Sequence, residues 1–580
     1  VLPGEDVDPF WRWPTFYARL LMQISWVVGP AALFAGAAFP LGNAIVQRGR
    51  DHVGARAGVL YLANTVGGVL GSIVAGFVLL PRLGIQATVT VVMVCVLAAL
   101  VAVWRATAWR SLAPSARRLQ ATASALLVLA LSAWSLLPEQ FLLRRSLPLA
   151  ADSSQEGVIA INEGVNETLA VLYLEGPTIR LLTNGFSMSD TGFESQRYMR
   201  SFAHVPLLIG GDIQKVMVMC YGVGNTADAV LMHPGVQHVD VVDFSYDVLL
   251  HSENFAASNG HPLEDPRVDV YVNDARHHLH MLDGETYDLV TGEPPPMPHA
   301  GVVNLYSRDF FELVRSRLRP DGLVTYWLPL WQVGEAAALS IVRGFLDAFP
   351  GAVLLSGYRD ELILVGRKGE APIEIDPELV AARIAAVPGL RDELRGIALD
   401  SPAEQVGLLA ATTPTLERAT RGVAPLVDDH PTLEYAIRAV QRSPRIPRDL
   451  ASVDDVERWC PRCATGALTA DDQRHVRGYL DVIARFYRSE AFLAGKSESP
   501  LDPDVPLSHE EGLALGDSLY LQDLVYAFPP EYKRALQLAR HGRPDLAVRS
   551  LEEVLRANPE HPRARRDLEW LRERTAAAQH

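Results

Sequence analysis

The feature that most limits what this chain can fold into is an alternation, from Lys215 onward, of short apolar runs with stretches of helical periodicity. Val216–Tyr221, His238–Asp243, Val268–Val272, Asp288–Thr291 and Leu323–Leu328 read as strands, which predicts a parallel sheet flanked by helices. Two further runs, Ala352–Ser356 and Glu361–Val365, complete it as an antiparallel hairpin. Ahead of the sheet, Gly157–Asn162, Thr168–Leu174 and Thr178–Asn184 are separated by Gly and Asn turn signals and predict a small antiparallel cap.

The N-terminal quarter follows different rules. A hydrophobic fraction of 49% and a mean hydropathy of +0.09 are high for a soluble chain, and the apolar residues concentrate at roughly 18–46, 58–80, 85–104 and 120–138. Each run has about the twenty residues a helix needs to cross a bilayer, so four transmembrane helices are expected. Pro30 and Pro40 predict a kink in the first. Gly67, Gly68, Gly71 and Gly76 let a neighbour approach the second closely. Arg48, Arg50, Arg56, Arg105, Arg110, Arg117 and Arg118 fall on one side, against Arg12, Arg19, Arg82, Arg144 and Arg145 on the other. By the positive-inside rule this small excess puts the large C-terminal part outside.

The organisation expected is a membrane region over 1–145, a β cap over 151–210, a Rossmann-like nucleoside-binding domain over 211–370, a mainly helical extension over 371–520 and a helical hairpin over 521–580. In the last, Ala547, Leu551, Val554 and Pro559 have tetratricopeptide spacing. One such unit cannot bury its own face, so it docks on its own domain or on a protein partner.

A net charge of −15 with no basic stripe excludes a general nucleic-acid binder. The 4 cysteines cannot make a disulfide framework, and Cys95 and Cys220 lie in apolar runs that suit burial. Cys460-Pro461-Arg462-Cys463 is a lone CxxC that can be half a zinc site, a redox pair or a local disulfide. His277, His278, His280 and His299 lack partners at ligand spacing and read as a helical surface cluster, so no metal site is expected.

The chemistry-bearing residues fall at the strand ends. Gly222 and Gly224 follow the first strand and allow a tight turn against a ligand at the next helix N-terminus. About twenty residues on, Asp243 ends the second strand, where a carboxylate accepts from both hydroxyls of a ribose. Asp274 and Ala275 follow the third, within reach of an adenine, and Glu293 follows the fourth on the same carboxyl edge. A helix cap or a turn is the competing reading for each taken alone. Pro294–Pro298 read as a stiff loop holding Glu293.

From Glu163 to Leu330 the chain resembles spermidine synthases, above all the bacterial proteins that fuse such a domain to transporter-like membrane helices. The motifs are Leu181–Gly185, His204–Leu208, the Gly222/Gly224 loop, Val241–Asp243, Asp265–Val268, Asn273–Arg276, Tyr287–Val290 and Asn304–Tyr306. Phe39–Leu41, Gly58–Gly67 and Asp428–Tyr435 resemble other segments of those fusions.

The resemblance implies a class I methyltransferase or spermidine synthase fold on a multi-pass protein of the bacterial inner membrane, in contact with lipid. It implies aminopropyl transfer from decarboxylated S-adenosylmethionine, a co-substrate rather than a resident cofactor. Asp243 would hold the ribose, Asp274 the adenine edge, and Glu293 would take the proton of a small-molecule amine acceptor. Tyr198, His204 and Glu194 would serve the acceptor. On that side the chain departs from the pattern: Met188 stands for a Gln, Phe193 for an Asp, Met199-Arg200 for His-Glu, Pro296 for a second carboxylate, and Cys220 for the first loop glycine. These departures keep two alternatives open, methyl transfer from S-adenosylmethionine and a non-catalytic membrane assembly or sensor protein.

Overall fold

The computed structural model describes residues 13–47, 52–106, 113–138, 141, 157–174, 177–295, 301–330, 333, 335–358, 361–434, 455–479, 529–559 and 561–577. The chain divides into two compact units, Val1–Leu142 and Leu143–His580.

The first unit is helical: α1 (Trp13–Val46), α2 (Val53–Val74), α3 (Leu80–Ala106) and α4 (Pro114–Ser135), with a π-helical turn at Ala75–Leu79 between α2 and α3. Gly84, at φ 76 and ψ 171, breaks the helical path within α3. The antiparallel return of α4 is fixed by Trp134 Nε1 donating to Thr90 Oγ1 at 3.0 Å and Gln86 Nε2 donating to the Pro138 carbonyl at 3.0 Å. Apolar side chains point outward: Val59, Leu62, Phe77 and Leu129 are all more than half exposed. Among the described residues one helical stretch, Val53–Ala99, is long and apolar enough to cross a membrane. It contains the second expected span and residues 85–99 of the third, so four separate spans are not found among the described residues. The apolar parts of the flanking helices, Gly36–Val46 and Ala121–Ser135, are shorter than a span.

The second unit carries a four-stranded antiparallel meander and an eight-stranded mixed sheet. The meander is β1 (Gly157–Glu163), β2 (Thr168–Tyr173), β3 (Ile179–Thr183) and β4 (Phe186–Asp190), the last absent from the sequence expectation. α5 (Phe193–Ile209) follows, almost wholly buried. Then come β5 (Lys215–Met219), α6 (Asn225–Leu231), β6 (His238–Asp243), β7 (Val268–Val272), α7 (Ala275–Met281), β8 (Tyr287–Gly292), α8 (Arg308–Arg317), β9 (Leu318–Pro329) and α9 (Glu335–Ala348). The hairpin β10 (Val353–Tyr358) and β11 (Glu361–Arg367) precedes β12 (Leu409–Ala411).

The sheet order is β12-β10-β11-β9-β8-β5-β6-β7, parallel from β9 to β7 and antiparallel across β11, β10 and β12. Val216, Val218, Val239, Val241, Leu289 and Leu323 are buried on one side of it and Met217, Val242, Val290 and Val324 on the other. That two-sided burial is why the central strands read as continuous apolar runs. The parallel strands end together, so the loops after β5, β6 and β8 share one edge, where open α/β sheets bind ligands.

Beyond the sheet the described chain is mainly helical, including α10 (Leu390–Gly396) and three final helices, α11 (Pro530–Arg540), α12 (Pro544–Ala557) and α13 (Pro562–Ala577). α12 buries Ala547, Leu551 and Val554 as the spacing predicts, and α13 adds a helix to the expected hairpin. These helices dock on their own unit. Arg563 on α13, 3% exposed, reaches Asp400 at 2.9 Å and also pairs with Glu404, while Arg540 on α11 reaches Glu393 at 3.2 Å. Arg200 on α5 is fully buried between Glu393 at 2.7 Å and Asp228 at 2.6 Å, so it is a structural ion rather than part of an amine pocket.

Candidate functional site

β5 delivers the chain into a turn from Cys220 to Gly224 that opens α6. Gly222 and Gly224 have φ values of 56 and 84, and a Cβ at Gly224 would lie 2.5 Å from the Tyr221 hydroxyl. Glycine is required there by both backbone and space. Cys220 also takes a left-handed φ, 63, at the position where the resemblance places glycine. A non-glycine residue pays about 1–2 kcal/mol for that conformation.

β6 places Asp243 directly beneath this turn. Its Oδ2 accepts from the Tyr221 backbone N–H at 2.8 Å and its Oδ1 from Ser245 N–H at 2.8 Å. Burial raises its pKa to about 6, against the pull of those backbone donors. Gly222 N–H is a third backbone donor to this carboxylate, which leaves about one of its four lone-pair sites for a ligand hydroxyl.

β8 ends at Gly292, and Glu293 stands at the same edge. The Tyr198 hydroxyl, brought across by α5, donates to Glu293 Oε1 at 2.7 Å. Burial pushes the Glu293 carboxyl up to about 8, and the tyrosine hydrogen bond pulls back only part of that. Tyr198 itself is raised well above 10, by burial first and then by the charges of Glu293 and Glu361. It is therefore a fixed donor rather than a proton shuttle. Burial pushes the Cys220 thiol up, and the charges of Asp243, Glu293 and Asp274 add to it. A carboxyl poised near neutral beside a nucleoside-type loop can accept a proton from a nucleophile.

The other expected residues divide. Asp274 is exposed and caps α7, Oδ1 accepting from His277 N–H at 2.8 Å, with Ala275 buried behind it. What the structure shows for it is the helix-cap role. His204 is not brought to the acceptor side: it is fully buried and shares a hydrogen bond with His233 at 2.9 Å, next to Glu393. The motif His204–Leu208 serves packing. Glu194 is half exposed and ion-paired with Lys533 of α11 at 2.5 Å, so its charge is already matched. Phe193 packs edge-on against Tyr358.

Sequence reading missed an aromatic wall. Trp327 on β9 lies parallel to Tyr198, centroids 6.3 Å apart, and donates Nε1–H to Glu361 Oε2 at 2.7 Å. The Tyr306 ring packs on Tyr326, and its hydroxyl, fully buried, has no hydrogen-bond partner among the described residues. A carboxylate opening the otherwise apolar strand Glu361–Val365 was the available signal.

Cys460 and Cys463 are joined as a disulfide and buried, which selects the local-disulfide reading among the three. Of the histidine cluster, His278 is buried and reaches the Tyr287 hydroxyl at 3.1 Å, and His299 lies outside the described residues, as does Pro296. Two other His-carboxylate groups come together among the described residues, His238/Asp240/Asp269 and Glu253/His261/Glu264. In the first, Asp240 is already paired with Lys215 at 3.4 Å and accepts from Tyr287 at 2.6 Å.

Residues 195–327 match the spermine/spermidine synthase domain. Polyamine aminopropyltransferase 2 of Streptomyces coelicolor is 30% identical over 311 residues, 52% of this chain and 54% of that protein. The polyamine aminopropyltransferase of Bacillus mycoides is 30% identical over 189 residues, 31% of this chain and 67% of that protein. Putrescine N-methyltransferase 2 of Nicotiana attenuata is 26% identical over 197 residues, 33% of this chain and 52% of that protein. The chain spans about half the length of the first curated relatives it matches. The domain match over 195–327 and the 30% identity to a relative covered over 67% of its length give one conclusion: the chain belongs to the spermidine synthase-like family.

Proposed function

We propose that this chain transfers an aminopropyl group from decarboxylated S-adenosylmethionine to an amine, on a domain carried by a membrane anchor. The observation that carries this reading is the Tyr198–Glu293 hydrogen bond at 2.7 Å, with the carboxyl raised to about 8. Glu293 is then basic enough to take the proton that the attacking nitrogen must lose. The amine lone pair forms an N–C bond to the propyl carbon next to sulfur. The C–S bond breaks with its electron pair going to sulfur, neutral methylthioadenosine leaves, and the proton goes to the Glu293 carboxylate. Gly222, Gly224 and Asp243 hold the nucleoside, and Tyr198 orients the base. Anchoring is supported by the apolar stretch Val53–Ala99 and by the outward-facing apolar residues of α1 to α4, with a multi-pass arrangement in a bacterial inner membrane as its fullest form.

The test is production of methylthioadenosine by the purified chain given decarboxylated S-adenosylmethionine and putrescine. Turnover that Glu293→Gln lowers at least about 100-fold is expected. Turnover with S-adenosylmethionine only would instead select methyl transfer, the reading that the likeness to a putrescine N-methyltransferase favours.

A further inference from the structure

The amino ends of β6 and β7, away from the turn at Cys220–Gly224, carry a second group of chemistry-bearing side chains. His238 and Asp240 are two residues apart on β6, so the strand alternation puts them on one face. Asp269 of β7 lies beside Asp240 in the parallel register. His238 Nε2 is thereby 2.9 Å from Asp240 Oδ1 and 3.3 Å from Asp269 Oδ2, and the three atoms all lie within 4.8 Å of one another. Atoms held about 2.0–2.1 Å from a tetrahedral zinc are about 3.3–3.4 Å apart, so both spacings are near those of neighbouring metal ligands.

Asp240 supplies the independent reason to place a cation here. It is 2% exposed, and its two oxygens differ. Oδ2 accepts from the Tyr287 hydroxyl at 2.6 Å and faces Lys215 Nζ at 3.4 Å. The same hydroxyl meets His278 at 3.1 Å, so the carboxylate is fixed by an outer layer of the kind that orients metal ligands. Oδ1 is buried and has no hydrogen-bond partner among the described residues, although His238 Nε2 stands beside it. A buried carboxylate oxygen is costly to leave in that condition. Among the described residues Lys215 is the only Lys or Arg ion-paired with either aspartate, so one of the two negative charges is unmatched. His238 and Asp269 are partly open to solvent, which gives an ion a way in and room for water.

We propose that His238, Asp240 and Asp269 bind a divalent transition-metal ion, zinc by preference, through one imidazole nitrogen and two carboxylate oxygens. Water completes the shell. The imidazole selects zinc over magnesium and calcium, which take oxygen ligands. The ion joins the edge strand β7 to β6 at the end remote from Asp243, and so braces the sheet outside the transfer site.

Zinc titration of the full-length chain in detergent, stripped of metal with EDTA, tests this by calorimetry and thermal melts. One zinc bound at this site and a higher melting temperature with zinc are expected. Loss of an outer partner alone costs a metal site about 10- to 100-fold, so His238→Ala and Asp269→Asn should each weaken zinc binding at least about 10-fold. Their zinc-free melting curves should stay close to that of the unsubstituted chain, which shows that both fold. Magnesium at the same concentration should give no shift. No zinc binding, zinc binding unchanged in both variants, or an equal response to magnesium each overturns the proposal. Zinc lost in His261→Ala but kept in His238→Ala belongs to Glu253, His261 and Glu264 and overturns it as well.

Discussion

The phenol of Tyr198 and the carboxylate of Glu293 meet at 2.7 Å although 95 residues separate them in the chain. One lies on a buried helix, the other just past a central strand. Because burial raises Glu293 to about 8, its ionised form increases as pH passes that value. We expect kcat/KM for the amine to rise with pH up to about 8 and then level, and Glu293→Gln to abolish that limb along with activity. A pH–rate profile on both proteins checks it.

The same raised value has a consequence for stability. In the unfolded chain Glu293 loses its proton near the ordinary carboxylate value of about 4.3. Between there and about 8 the folded state holds more protons, so its stability falls as pH rises through that window. Glu293→Gln removes the penalty. Its melting temperature should match the unsubstituted chain near pH 4 and exceed it at pH 8.5, by the equivalent of a few kcal/mol at most.

Asp243 is the residue proposed to hold the nucleoside. Its pKa of about 6 means that below this value one oxygen turns donor and cannot accept from a ribose hydroxyl. Methylthioadenosine affinity should therefore tighten as pH rises from 5 to 7. Asp243→Asn should weaken it by about 10- to 100-fold and flatten the dependence, as loss of a charged hydrogen-bond acceptor does. Isothermal titration at several pH values reads both effects.

One pair of variants separates the cap that Asp274 forms from the contact with a base expected of it. Asp274→Ala loses the cap on His277 N–H and should cost about 1 kcal/mol of stability. Asp274→Asn keeps the cap, so any loss of methylthioadenosine affinity in that variant reports contact with the base alone.

Arg563→Ala tests the docking of the final helices. It would leave Asp400, Glu404 and Asp567, each no more than 5% exposed, short of a partner. Breaking a buried ion pair on one side costs about 3–5 kcal/mol. A lower melting temperature and early proteolysis ahead of Pro530 are the expected result; an unchanged melting curve contradicts it.

What the sequence disclosed follows from local physics. β5, β6, β8 and β9 bury both faces, so their β-branched runs stand out, and the residues closing them had to share an edge. Gly224 was legible because no other residue fits its φ and its space. What stayed hidden depended on distant partners. His204 sits in a motif beside Tyr198, yet only His233 and Glu393, far along the chain, show that it points into the core. Arg200 seemed a misplaced charge until Asp228 and Glu393 were seen on either side. β12 is a three-residue strand with no periodicity to detect. Glu361 gained meaning only from the antiparallel register that sets it against β9.

Glu393 receives Arg200 from α5 and Arg540 from α11, so one carboxylate ties the helix that carries Tyr198 to the last fifty or so residues of the chain. The tail in this sense braces the helix from which Tyr198 reaches Glu293. A message truncated before Pro530 would lose no accessory module; it would loosen the helix that brings Tyr198 to Glu293.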